Sequence, residues 1–289
     1  MSRPFRFGLI VETRQATRRQ LVEQARQAED QGIDILLGTD HLGRLASLPL
    51  LQAAAEATSL RIGTLVLNND FRHPVILAQE LAAVDRVTDG RLEIGLGAGW
   101  DRPEYEAAGL SFDGPGRRIA RLQATVALLK QALGEGRIER TADDAYPAMR
   151  LDNMPMSAQR PHPPFLIGGG GPRMLRYAAR EADIVGLDPR AFPEGGHDPA
   201  DQSESAIDRK VAWVREAAGD RWPELELNII VFGVGKEEVA GSPHYLAADQ
   251  TRMTEQLLAR RERWGISYLA VRPAMLDAVA PVVARLAGT

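Results

Sequence analysis

Asp40 and His41 stand side by side just after a short apolar run, Ile33 to Leu37. A carboxylate beside an imidazole can handle protons, because histidine titrates near neutral pH and a neighbouring acid can fix its tautomer. The same residues would arise if Asp40 only capped a helix and His41 only lined a pocket. A second cluster follows, in which Gly63-Thr64-Leu65-Val66-Leu67 runs into Asn68-Asn69-Asp70-Phe71-Arg72-His73-Pro74. It can set the backbone of Leu65 and Val66 behind a bound ring, with Asn68, Arg72 and His73 at the rim. The third cluster is Gly95, Gly97 and Gly99, interleaved with Leu96 and Ala98 and closed by Trp100. Alternating glycines weaken a strand, so they need a reason. Close approach of a planar ligand to Gly97, Ala98 and Gly99 is one reason, and tight packing between strands is the other. Trp100 at the end of the run favours the ligand and would line a substrate pocket.

The run Gly168-Gly169-Gly170-Gly171 opens into Pro172-Arg173-Met174-Leu175-Arg176. Bare backbone amides at the positive end of a helix dipole make an anion site, and Arg173 adds charge there. A phosphate is the expected occupant. Other chemistries lack their residues. The five histidines, at 41, 73, 162, 197 and 244, show neither H-x-H nor H-E-x-x-H spacing, so no metal is expected. There is no G-x-S-x-G, no G-K-[ST] after the glycine run and no cysteine.

The elements that must carry these clusters alternate regularly. Strand-like runs at Phe5–Val11, Ile33–Leu37, Arg61–Leu67, Leu92–Leu96, Phe165–Ile167, Ile184–Leu187, Leu225–Val234 and Tyr268–Val271 are separated by helical patterns. Thr17–Gln31 is stopped by Gly32, and Pro74–Val87 starts on a proline whose missing N–H costs nothing at a first turn. Eight βα units predict a (β/α)8 barrel, a single domain over residues 1–289, with chemistry on the loops after the strands. A doubly wound sheet would want G-x-G-x-x-G in its first turn, where Glu12-Thr13-Arg14-Gln15 stands. Residues 135–164 read as an insertion with a short hairpin. Residues 188–204, rich in Pro, Gly, Asp and Ser, read as a mobile loop.

The 289 residues carry a net charge of −4, so no nucleic-acid surface is expected. No apolar run reaches the ~18 residues of a membrane span, and no leader is visible at Met1-Ser2-Arg3-Pro4, so a cytoplasmic enzyme is expected.

In this order, the segments Arg61–Val66, Phe71-Arg72-His73-Pro74, Gly90–Trp100, Ile167–Pro172 and Ala179-Arg180-Glu181-Ala182-Asp183 resemble the luciferase-like monooxygenase superfamily from Phe5 to about Leu286. Asn69-Asp70-Phe71-Arg72, Gly97–Asp101 with Glu104-Tyr105, Ala218–Arg221 and Arg260–Tyr268 are most similar to its actinobacterial F420-dependent oxidoreductases. The resemblance implies a flavin or deazaflavin across the C-terminal mouth of the barrel. It implies a non-proline cis peptide in the Leu65–Val66 region and a phosphate on Gly169, Gly170 and Gly171. It also implies that Asp40 and His41 lie near the reacting ring face. Sugar-phosphate dehydrogenases of this superfamily carry a glutamate directly after the strand-four glycines. Trp100 stands there in this chain, so a general acid is missing at that point, which argues against sugar oxidation.

The expected function is hydride transfer between the deazaflavin F420 and a small organic substrate, with His41 relaying a proton and Asp40 fixing its tautomer. Arg72, Arg173 and Arg176 are available for the anionic F420 tail. The alternatives are an FMN-dependent monooxygenase fed by a separate reductase, and a barrel that binds a ligand without turnover. Relatives are often dimers, and the apolar helices Pro49–Ala57 and Pro74–Val87 would suit a homodimer contact.

Overall fold

The structure, a computed structural model, describes residues 3–11, 14–236 and 241–289. Glu12 and Thr13 of the glycine-free first turn, and Met1 and Ser2, lie outside the described residues. Eight parallel strands form the ring: β1 (Arg6–Ile10), β2 (Ile35–Gly38), β3 (Arg61–Thr64), β4 (Leu92–Gly97), β5 (Phe165–Gly169), β6 (Ile184–Leu187), β7 (Glu226–Ile230) and β8 (Ile266–Val271). Their spatial order is β3-β2-β1-β8-β7-β6-β5-β4, and β3 pairs with β4 through Ile62↔Leu92 and Gly63↔Glu93, which closes the barrel. The eight-unit reading is correct.

Strand side chains alternate between two environments. Ile35, Leu37, Leu166, Ile184, Tyr268 and Ala270 fill the interior. Leu36, Ile62, Ile94, Ile167, Val185 and Leu269 face the surrounding helices. A one-residue slip of any strand would exchange the two sets, so the register is strongly specified. Each fully buried Leu or Ile contributes roughly 1.5–3 kcal/mol.

The helices are α1 (Arg18–Asp30), α2 (Ser47–Ala55), α3 (Pro74–Val87), α4 (Pro115–Glu135), α5 (Pro172–Glu181), α6 (Glu204–Ala218), α7 (Gln250–Trp264) and α8 (Leu276–Leu286). The Thr17 side chain accepts from Gln20 N–H and Gln20 reaches back to Thr17 N–H, which caps α1 at both partners. Gly32, with φ +79°, lets the chain leave α1 and enter β2. Among the described residues, no helix is long and apolar enough to cross a membrane.

Four segments differ from the sequence reading or add to it. The strand expected over Arg61–Leu67 breaks at a cis peptide between Leu65 and Val66 before Leu67–Asn68 rejoins the edge of β4. A short helix, Arg102–Ala107, fills the loop after β4. The insertion does contain a hairpin, Ile138–Arg140 against Met149–Leu151. The segment after β6, expected to be a mobile loop, carries its own hydrogen bonds. Arg190 N–H donates to Asp201 Oδ2 at 2.8 Å, Asp198 N–H donates to Arg190 O at 2.8 Å, and Ala191 bridges His197. Asp201 is in turn held by the buried Lys210 ammonium at 2.8 Å.

The N-terminal end of the barrel is closed by charge. Arg6 bonds both Glu93 and Glu226, and Arg61 Nε bonds Glu93 at 2.8 Å. The Arg6 guanidinium also lies 4.7 Å from the centre of the Tyr268 ring.

Candidate active site

The C-terminal mouth gathers residues from the loops after β2, β3, β4, β5, β6 and β7. His41, after β2, places Nδ1 2.7 Å from Glu104 Oε1 on the short helix after β4. A carboxylate can only accept, so Nδ1 carries the proton and Nε2 is left free to act as a base. Both side chains are partly shielded, at 28% and 16% exposure. Partial shielding of this kind suits a group that must meet a ligand and still keep its partner.

Asp40 does not hold His41. Its carboxylate takes a forked pair from Arg72, at 2.6 and 3.0 Å, and the Asn68 N–H at 3.0 Å. The adjacent side chains diverge, and the tautomer of His41 is fixed by Glu104 instead. Arg72 is thereby committed to Asp40, and Arg176 is bonded to Glu216 on α6 at 3.1 Å. Arg176's partner is exposed, so that pair is weak.

Glu104 also changes the reading of Trp100. The residue after the glycines is indeed not an acid, but the short helix supplies a carboxylate one turn later. That carboxylate faces His41. Asp101 joins this group. Ligand-capable atoms of His41, Asp101 and Glu104 all lie within 4.8 Å of one another, so these three are also the described residues that could together hold a cation.

The strand-four glycines have a reason within the protein. A Cβ on Gly95 would lie 1.8 Å from Thr64 O, and one on Gly97 would lie 2.6 Å from Val66 Cγ2. At Gly99, with φ +76°, it would meet the Tyr105 hydroxyl at 1.8 Å. Their spacing makes room for the bend at Leu65–Val66 and for Tyr105, so strand packing accounts for them without a ligand. Ala98 packs on the outer core. Asn68 Oδ1 is also engaged internally, accepting from Tyr105 OH at 2.9 Å and Asp70 N–H at 3.1 Å.

The run Gly168–Gly171 divides. Gly168 makes room for the Asp188 carboxylate, Gly169 for Met174 and Gly170 for the Arg190 backbone. Gly171 alone among the four has nothing within 4 Å of an added Cβ. It is the N-cap residue of α5, whose first turn receives no side-chain cap. Arg173 is exposed beside it and reaches toward Gly116 at the start of α4. Among the described residues, no carboxylate pairs with Arg173. Uncapped amides, open space and an unspent guanidinium are what an anion requires. Gly171 and Arg173 therefore fit a phosphate.

The floor of the mouth is apolar. Leu65 is buried in the inner cluster, and Ile10, Val66 and Ile230 pack on it while remaining half-buried. Trp100 is half-buried against His41 and His197. Asp188, just after β6, is half-buried, and desolvation of its carboxyl pushes its pKa up to about 6 even though Lys210 pulls the other way. Perturbed carboxyls at the C-terminal ends of barrel strands are candidates for function. Sequence reading did not single out Glu104 or Asp188 as site residues. A surface hollow of about 540 Å³ lies elsewhere, between α4, His162 and Glu181.

Residues 2–218 match the family model described as luciferase-like monooxygenase. The F420-dependent glucose-6-phosphate dehydrogenase of Kineococcus radiotolerans is 30% identical over 192 residues, 62% of this chain and 55% of that protein. The 5,10-methylenetetrahydromethanopterin reductase of Archaeoglobus fulgidus is 27% identical over 159 residues, 55% of this chain and 46% of that protein. The chain thus matches about half the length of these curated relatives. Among solved structures, the coenzyme F420-dependent tetrahydromethanopterin reductase of Methanopyrus kandleri superposes with a TM-score of 0.78. It covers 97% of both chains at 19% identity, a likeness of fold. With three quarters of its length inside the family model, the chain belongs to the luciferase-like monooxygenase family.

Proposed function

We propose that this chain is an F420-dependent oxidoreductase acting on a small organic substrate. The observation that carries the reading is the His41–Glu104 pair beside an apolar floor at the barrel mouth, in a chain whose curated relatives are F420-dependent enzymes. When bound, the deazaflavin supplies a ring carbon that gives or takes a hydride. Gly171 and the uncapped amides of α5 would hold its phosphate, with Arg173 alongside. Ile10, Val66 and Ile230 would take its apolar face.

The proton work belongs to His41. With Nδ1–H given to Glu104, Nε2 takes a proton from a substrate group or returns one to it, and Glu104 stabilises the imidazolium that forms. Trp100 shields this exchange from one side. His41→Ala should leave F420 affinity unchanged and lower turnover by about 10²–10⁴-fold. Glu104→Gln keeps the shape but not the charge and should lower turnover by less. Unchanged turnover in His41→Ala would remove His41 from the mechanism.

A further inference from the structure

A row of rings crosses the mouth. His41 meets Trp100 edge-on at 6.2 Å, Trp100 meets His197 at 5.7 Å, and His197 meets Phe232 at 5.5 Å. His244 is stacked behind Phe232 at 4.9 Å and 15°. These separations lie in the range of favourable ring pairs, about 4.5–7 Å. The rings come from the loops after β2, β4, β6 and β7, so only the closed barrel brings them together. His41, Trp100, His197 and Phe232 are each half-buried, so each leaves surface for a ligand, whereas His244 is fully buried.

We propose that Trp100, His197 and Phe232 form a platform for a planar, conjugated substrate and set the substrate class of this site.

The platform is rigid for reasons that have nothing to do with catalysis. His197 is bridged to Ala191, in the loop that Lys210 and Asp201 pin. Phe232 N–H donates to His244 O at 2.7 Å, and His244 Nδ1 lies 2.9 Å from Ile230 O. Fixed rings lose little freedom when a flat ligand stacks on them. Burial, with Arg272 and Lys210 nearby, lowers the pKa of His197, so its ring is neutral at neutral pH and presents a face rather than a charge. The neighbouring floor, Ile10 and Ile230, is apolar. A polyhydroxylated substrate needs a partner for each hydroxyl, and these surfaces offer few.

The proposal rests on the oxidoreductase reading for what happens to the substrate, but not for its binding. The test is calorimetric titration with 2-naphthol, decahydro-2-naphthol and glucose 6-phosphate, with and without saturating F420. F420 affinity is measured in parallel. We expect 2-naphthol to bind about tenfold more tightly than its saturated analogue, with F420 present or absent. Phe232→Leu and His197→Leu should each erase most of that preference while F420 affinity stays the same. Equal affinity for the flat and saturated probes would overturn the proposal, as would tighter binding of glucose 6-phosphate. Displacement of F420 by 2-naphthol would also overturn it, because the rings would then be the cofactor's own platform. A preserved preference for 2-naphthol in a protein that ignores F420 would support the platform and sink the oxidoreductase reading, so the two fail separately.

Discussion

The two ends of the barrel use charge in opposite ways. At the N-terminal end, Arg6, Arg61, Glu93 and Glu226 are bonded to one another, and the two glutamates are only 5% and 6% exposed. At the C-terminal end, His41 and Glu104 pair within reach of solvent, and Arg173 pairs with no carboxylate among the described residues. The first end is a plug and the second is a socket. The same parallel ring holds both because strand direction separates its ends. Residues entering the strands can be devoted to closure, while residues leaving them remain available to a ligand.

Arg6→Ala gives the largest expected effect. It strands the buried Glu226 carboxylate and leaves Glu93 with Arg61 alone, and should cost about 3–5 kcal/mol in urea unfolding, while F420 affinity per folded molecule stays unchanged. A loss of affinity without a loss of stability would break the division between the ends. Gly97→Ala comes next. Val66 is stiff and already fills the space a methyl needs, so the bend at Leu65–Val66 must shift. The expected cost is about 1–3 kcal/mol, together with weaker F420 binding.

Asp188 sharpens the comparison through pH. Its folded-state pKa of about 6 lies above the ordinary value of 3.8, so the folded protein holds this proton more tightly than the unfolded chain does. Its contribution to stability is therefore present below pH 4 and lost as pH rises toward 6 and beyond. Asp188→Asn should gain stability relative to the parent at pH 8, on the order of 1–3 kcal/mol, and little at pH 4. Unfolding curves at the two pH values check the sign, and a gain confined to pH 4 would refute it. The smallest effect is expected at Glu104. Glu104→Ala should cost less than about 1 kcal/mol of stability, because its ion pair is half-open.

Sequence reading reached the barrel because its signals are local. Pro74 fixes the start of α3, and Gly32 permits the exit from α1. The alternation of short apolar runs with helical patterns counts the βα units. The site was less legible. His41 was visible at a strand end, but its partner Glu104 is 63 residues away on a helix of six residues. The start of that helix was signalled only by Asp101 and Pro103. The alternation Gly95, Gly97, Gly99 was plain, yet what those glycines make room for depends on the backbone of β3. The composition of residues 188–204 could not reveal that Asp201 meets Lys210 inside the protein. Each miss is a contact between loops, which no periodicity records.

The central proposal is that the mouth binds F420 through Gly171 and Arg173. Titration of the purified protein with F420 and with FMN, followed by fluorescence quenching and melting temperature, tests it most directly. The account predicts saturable F420 binding with a raised Tm, clearly weakened by Arg173→Glu, and little response to FMN. Tight FMN binding with no response to F420 would contradict it.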